Sequence, residues 1–249
     1  MHDALRTFGA TIAALDEELD WGLLGRSACE GDGSTFFDAA LRERTIDTGL
    51  RFAEDVARAL GGSSGASLYV GAEVAELPVV LMEHLVLGRA VEWVNLDCAA
   101  VRELRRALAA VGARAELELP LPRAVALQEL ESAGFDHVWM TSVLTDPEAF
   151  PALHDELYER AGGPLATGRG ALDEERARAE ALVEALLARA APRTVLTTTD
   201  EELRILAPIA ARRGWRLEFP RGGRLSAIVG DRVRSGTIQR EFPDLTSTA

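Results

Sequence analysis

From Gly61 onward, short apolar runs alternate with longer amphipathic segments, and this alternation constrains the fold more than any other feature of the chain. ASLYVG (66–71), RAVEWVNLD (89–97), ARAELEL (113–119), FDHVWMTSVL (135–144), RTVLTTT (193–199) and WRLEFP (215–220) read as strands. AELPVVLMEHLVLG (75–88), AAVRELRRALAAVG (99–112), ALQELESAG (126–134), GRGALDEERARAEALVEALLARAA (168–191) and DEELRILAPIAARRG (200–214) read as helices between them. Strands joined through helices pair in parallel, because only a crossover returns the chain to the same end of the sheet. GGRLSAIVGDRVRSGTIQ (222–239) reads instead as a hairpin, with turn signals at Gly222-Gly223 and Gly230-Asp231. The predicted fold is α/β: a three-layer, Rossmann-like sandwich with a mostly parallel sheet and antiparallel C-terminal strands. Pro78 fits this plan only in the first turn of its helix.

Residues 1–60 carry no strand signal. ALRTFGATIAALDEEL (4–19) and TGLRFAEDVARAL (48–60) have helical apolar spacing, the second ending at Gly61-Gly62. CEGDGSTFFD (29–38) between them is turn-rich and reads as a loop. The expected organisation is an N-terminal helical cap, 1–60, on a Rossmann-like domain, 61–249.

Charge narrows the partners. Against 27 basic residues stand 40 acidic ones, a net charge of −13, and no basic run long enough to reverse this locally is apparent. Such a chain repels phosphate backbones, so nucleic acid is not an expected partner. No lysine occurs, which excludes Schiff-base chemistry and a P-loop lysine. No apolar run reaches the length of a membrane span, and the acidic N-terminus lacks the basic region of a signal peptide; a cytoplasmic protein is expected. Cys29 and Cys98 belong to no metal or disulfide pattern and read as reduced thiols. The four histidines, His2, His84, His137 and His154, form no metal motif; His84 reads as a satisfied, partly buried residue and His154 as part of a solvated helix face.

A parallel sheet of this kind binds ligands beyond the carboxyl ends of its strands. Four segments lie there: Gly71–Glu76, Asn95–Cys98, Thr141–Thr145 and Thr197–Asp200. Neither a G-x-G-x-x-G dinucleotide fingerprint nor a G-x-S-x-G nucleophile elbow is present among them. Asp97 doubles as an ordinary N-cap for the helix after it, and Asp200 as the cap of TTTDEE.

In strand order the chain resembles the class I S-adenosylmethionine-dependent methyltransferases, over roughly Gly61 to Gln239. That family opens on a strand with an acidic residue near its end and a G-x-G-x-G turn. Here SLYVGAEVA keeps Gly71, replaces the later glycines with Glu73 and Ala75, and has Tyr69 in the acidic position. The resemblance implies S-adenosylmethionine as cofactor, held near Gly71, Ala72, Glu73 and Glu76 at its amino-acid end and by Asn95 and Asp97 at its ribose. Glu73 or Glu76 would replace the missing acid; the plainer alternative has Glu73 in solvent and Glu76 favouring a helix N-terminus. Thr141 and Ser142 would lie near a small-molecule or protein methyl acceptor, or serve only as ordinary strand-end residues. The second functional reading is a non-catalytic binding or assembly module that has lost the cofactor site. No sequence feature fixes the oligomeric state.

Overall fold

A computed structural model describes residues 2–28, 33–159 and 169–241. Cys29, the first residues of the predicted loop at 29–38 and the segment 160–168 lie outside those residues. Three helices open the chain: α1 (His2–Glu18), α2 (Trp21–Ala28) and α3 (Ala39–Leu60). Asp38 caps α3 by accepting from Leu41 N at 2.8 Å, and Gly61, at φ +60°, ends it. Then follow β1 (Ala66–Val70), α4 (Leu77–Leu81), β2 (Ala90–Asn95), α5 (Ala99–Ala115), β3 (Arg123–Ala124) and β4 (Phe135–Met140). After α6 (Pro151–Leu157) and α7 (Arg169–Arg189) come β5 (Ala190–Thr199), α8 (Asp200–Arg212), β6 (Trp215–Glu218), β7 (Arg224–Leu225) and β8 (Arg232–Arg240).

The sheet runs β3-β2-β1-β4-β5-β8-β6, with β7 paired to β8. Pairings among β1 to β5 are parallel and those made by β8 are antiparallel. Period-two alternation sorts side chains to the two faces. Tyr69, Trp93 and Trp139 pack under α1 to α5, while Leu68, Val70, Val138 and Met140 pack on the other face with α6, α7 and α8. The N-terminal helices therefore share a core with the sheet. Phe52 of α3 meets Trp139 edge-on at 5.7 Å, and Arg106 of α5 joins Glu103 at 2.8 Å and Glu18 of α1 at 2.6 Å.

Several local expectations are corrected. ARAELEL is not the third strand: α5 runs through Gly112 to Ala115, and Glu116 at φ 54° turns the chain back. A Cβ at Gly112 would lie 2.8 Å from the Leu117 carbonyl, so glycine there permits the turn to fold against the helix. The third strand is the two-residue β3. ALQELESAG forms only a 3-10 turn at Leu127–Glu129, and the 75–88 helix breaks into a 3-10 turn, α4 and a π-turn at Met82–Val86. Pro78 does sit in the first turn of α4. Among the described residues no helix is long and apolar enough to cross a membrane.

Candidate functional site

The strand order reverses between β1 and β4, and the crevice beyond their carboxyl ends is where such sheets take ligands. The chain leaves β1 through Gly71 at φ +70°, whose N–H donates to the Val94 carbonyl at 3.0 Å. A Cβ there would meet Val143 Cγ2 at 2.5 Å. Only glycine suits both the left-handed backbone and that approach. The Ala72 carbonyl then accepts from Trp93 Nε1 and Asn95 Nδ2, each at 2.9 Å, tying the turn to the end of β2. Glu76 closes the turn from the other side: its Oε2 accepts from Glu73 N at 2.9 Å and its Oε1 from Thr141 Oγ1 at 3.3 Å. Thr141 in turn accepts from Trp139 Nε1 at 3.0 Å. The Glu76 carboxylate thus spans from the β1 turn to the end of β4.

Glu73 and Glu76 are partly buried side by side, and burial pushes both carboxyls up. Glu73 reaches about 7, through burial first and then the charges of Glu76, Asp146 and Glu148. Removing a carboxylate from water and surrounding it with others disfavours its ionised form. No cation offsets this pair among the described residues. The ionised pair is therefore disfavoured in the free protein, and a positively charged ligand group is what would stabilise it.

The other predicted residues take varied places. Asn95 spends its amide on the loop, since Oδ1 also accepts from Leu96 N at 2.7 Å. Asp97 lies exposed at the mouth and pairs with Arg102 at 2.7 Å. It is not the cap of α5, because Cys98 holds that position with extended backbone. Ser142 adopts φ 60° directly after Thr141, a conformation rare for serine and one that turns the chain sharply out of β4. Asp200 is not the cap of α8 either. Thr199 is, accepting from Glu202 N at 3.2 Å in a capping box.

Glu202 was readable only as a charge at a helix start, yet it organises the far wall. Fully buried, its Oε1 accepts from Val143 N at 2.7 Å and Leu144 N at 2.9 Å, and its Oε2 from Thr198 Oγ1 at 3.0 Å. The spacing Thr199-x-x-Glu202 was the available signal. His154 is another correction: it is buried rather than solvated, with Nδ1 at 2.6 Å from the Thr145 carbonyl. Nearby, the Tyr158 hydroxyl donates to Asp231 Oδ2 at 2.5 Å, joining α6 to the β7–β8 turn. His84 is satisfied as expected, its Nε2 lying 2.7 Å from the Glu118 carbonyl.

A second polar cluster lies inside the fold under β1 and β4. Glu83 accepts from Ser67 and Tyr69, pairs with Arg89 at 2.9 Å and lies 2.7 Å from His137 Nδ1; Arg89 also pairs with Asp136. Burial alone would raise the Glu83 carboxyl, but His137 and the donors around it hold it down at about 2. Tyr69, in the strand position that carries an acid in the resembling family, spends its hydroxyl on this interior carboxylate.

No family model and no curated protein matches the sequence. Solved structures do match in fold. The magnesium protoporphyrin IX methyltransferase of Synechocystis PCC 6803 with bound SAM superposes with a TM-score of 0.52 at 13% identity, covering 88% of this chain and 90% of that one. A methyltransferase from Pyrococcus furiosus gives 0.46 at 14% identity over 76% and 83% of the two chains. A putative O-methyltransferase from Klebsiella pneumoniae gives 0.45 at 12% over 88% and 94%. In the order of its strands and in its antiparallel closing strands, the chain has the fold of the class I S-adenosylmethionine-dependent methyltransferases.

Proposed function

We propose that the chain is an S-adenosylmethionine-dependent methyltransferase whose acceptor is a small molecule or a protein side chain. The observation that carries this reading is the uncompensated Glu73–Glu76 pair at the β1–β4 crevice. An α-ammonium seated between these carboxylates would supply the missing positive charge, and Glu73 would take over from the acid absent at Tyr69. Gly71 lets the chain turn out of β1 against Val143; Asp97, exposed just past β2 and paired with Arg102, would offer its carboxylate to ribose hydroxyls; and Asn95 holds the Ala72 carbonyl in place. Bound there, the cofactor supplies a sulfonium-activated methyl group. Thr141 and Ser142 would line the acceptor side, with helices 1–60 acting as a cap over a 61–249 domain. The residues contribute mainly position, since in-line alignment of an activated donor needs little acid–base machinery.

A non-catalytic module remains the second reading, favoured by one specific observation: Glu76 already occupies the Glu73 N–H, a donor such turns leave open to ligand. Titration with S-adenosylmethionine and S-adenosylhomocysteine, read by calorimetry, separates the two. Micromolar binding that Glu76→Gln or Asp97→Ala weakens supports the enzyme. Silence at millimolar ligand overturns it.

A further inference from the structure

We propose that the recess between α3 and β7 is an anion subsite that holds the phosphate of a small phosphorylated methyl acceptor. The acceptor half of this statement rests on the methyltransferase reading above; the anion site stands on its own geometry. Between positions 212 and 240 the chain has eight arginines against two carboxylates, so the expectation of no local reversal in this acidic chain fails at its C-terminal end. Half of these arginines are engaged away from the recess: Arg212 with Glu180 and Arg216 with Glu218, at 2.5 and 2.6 Å, Arg213 with Glu184, and Arg234 with Asp200 at 2.5 Å.

Arg224 faces α3 instead. Together with Arg44, Thr48 and Arg51 it lines a recess of about 430 Å³, completed by Asp47 and Leu225. Positions 44, 48 and 51 fall on one helix face. Asp55 holds Arg224 at 2.5 Å, and Asp47, itself part of the lining, pairs with Arg51 at 3.2 Å. Arg44 forms no ion pair among the described residues. Three planar guanidiniums and a hydroxyl can meet a tetrahedral phosphate from several sides, each guanidinium as a bidentate donor.

The position fits an acceptor. Arg224 pairs with Val233, which stands opposite Thr199, the last residue of β5, so the recess opens at the carboxyl end of the sheet. The same α3 presses Gly49 against the Ala75 carbonyl just after the glycine turn. A single phosphate, rather than a nucleic-acid strand, is indicated because the crevice itself is ringed by Glu73, Glu76, Asp146 and Glu148, which repel an extended polyanion.

Calorimetry on the full chain with inorganic phosphate tests this at low ionic strength, with acetate as the carboxylate probe and single-stranded RNA as the polyanion. Arg44→Gln/Arg51→Gln, two exposed helix positions whose folding circular dichroism verifies, should weaken phosphate at least about tenfold, one charge-assisted contact's worth. Arg216→Gln, outside the recess, should leave it unchanged, and acetate should bind far more weakly. No heat at millimolar phosphate, equal losses in both variants, acetate binding as tight as phosphate, or RNA binding that depends on Arg216 would each overturn the proposal. S-adenosylmethionine titrated into the same samples keeps the failures apart. Phosphate binding without cofactor binding sinks the methyltransferase reading alone, and the reverse sinks the subsite alone.

Discussion

Glu73 and Glu83 stand on one continuous segment of chain, and their surroundings drive them in opposite directions. Glu83 lies fully buried among Ser67, Tyr69, Arg89 and His137, and is held at about 2. Glu73 is less buried, has carboxylates for neighbours, and is pushed up to about 7. Burial therefore does not by itself decide whether a carboxylate is structural. Partners do: an interior charge with its hydrogen bonds and counter-ions in place belongs to the scaffold, whereas one left among like charges at a crevice is a candidate for binding a ligand.

The contrast can be broken by mutation and pH. Glu83→Ala should cost most, about 3–5 kcal/mol, because Arg89 and the donors around it lose a buried counter-charge; a urea melt measures it, and a cost under about 1 kcal/mol would remove the network's structural role. Glu73 should make the free protein pH-sensitive. Its carboxyl is raised from 4.5, so the folded state keeps a proton that the unfolded state has lost. Stability is then whole below pH 4.5 and falls as pH rises to 7, by at most about 3.5 kcal/mol at roughly 1.4 kcal/mol per unit. Glu73→Gln should flatten that slope. Glu83, depressed below its ordinary value, acts in the opposite window: its stabilisation holds above pH 4.5 and is lost toward pH 2.

Smaller effects sharpen the picture around the turn. Gly71→Ala combines a positive φ with the approach of Val143 and should cost about 1–3 kcal/mol, visible in the same melts. Asp97→Ala removes only an exposed ion pair and should change stability by less than about 1 kcal/mol. Its effect should appear in cofactor affinity instead, and an unchanged affinity would return Asp97 to the surface.

How much of this was readable beforehand varies with distance along the chain. Leu68, Val70, Val138 and Met140 announce their strands because burial on both faces leaves a continuous apolar run. ARAELEL misleads because its alternation imitates a strand, while the real β3 is too short to leave a pattern. Gly71, Glu73 and Glu76 were visible as a turn, but the Thr141–Glu76 contact joins residues 65 positions apart and the Arg224–Asp55 pair 169. Sequence spacing has no access to such pairings. The interior role of Tyr69 and the wall built by Glu202 depend on them too.

The decisive measurement is the affinity for S-adenosylmethionine as a function of pH, by calorimetry on the native chain and on Glu73→Gln. If Glu73 must ionise to receive an ammonium, affinity should be level above pH 7 and fall up to about tenfold per unit below it. Glu73→Gln should bind weakly with no such fall. Absence of binding at every pH, or a native affinity that does not change between pH 8 and pH 6, would contradict a cofactor site built on this pair.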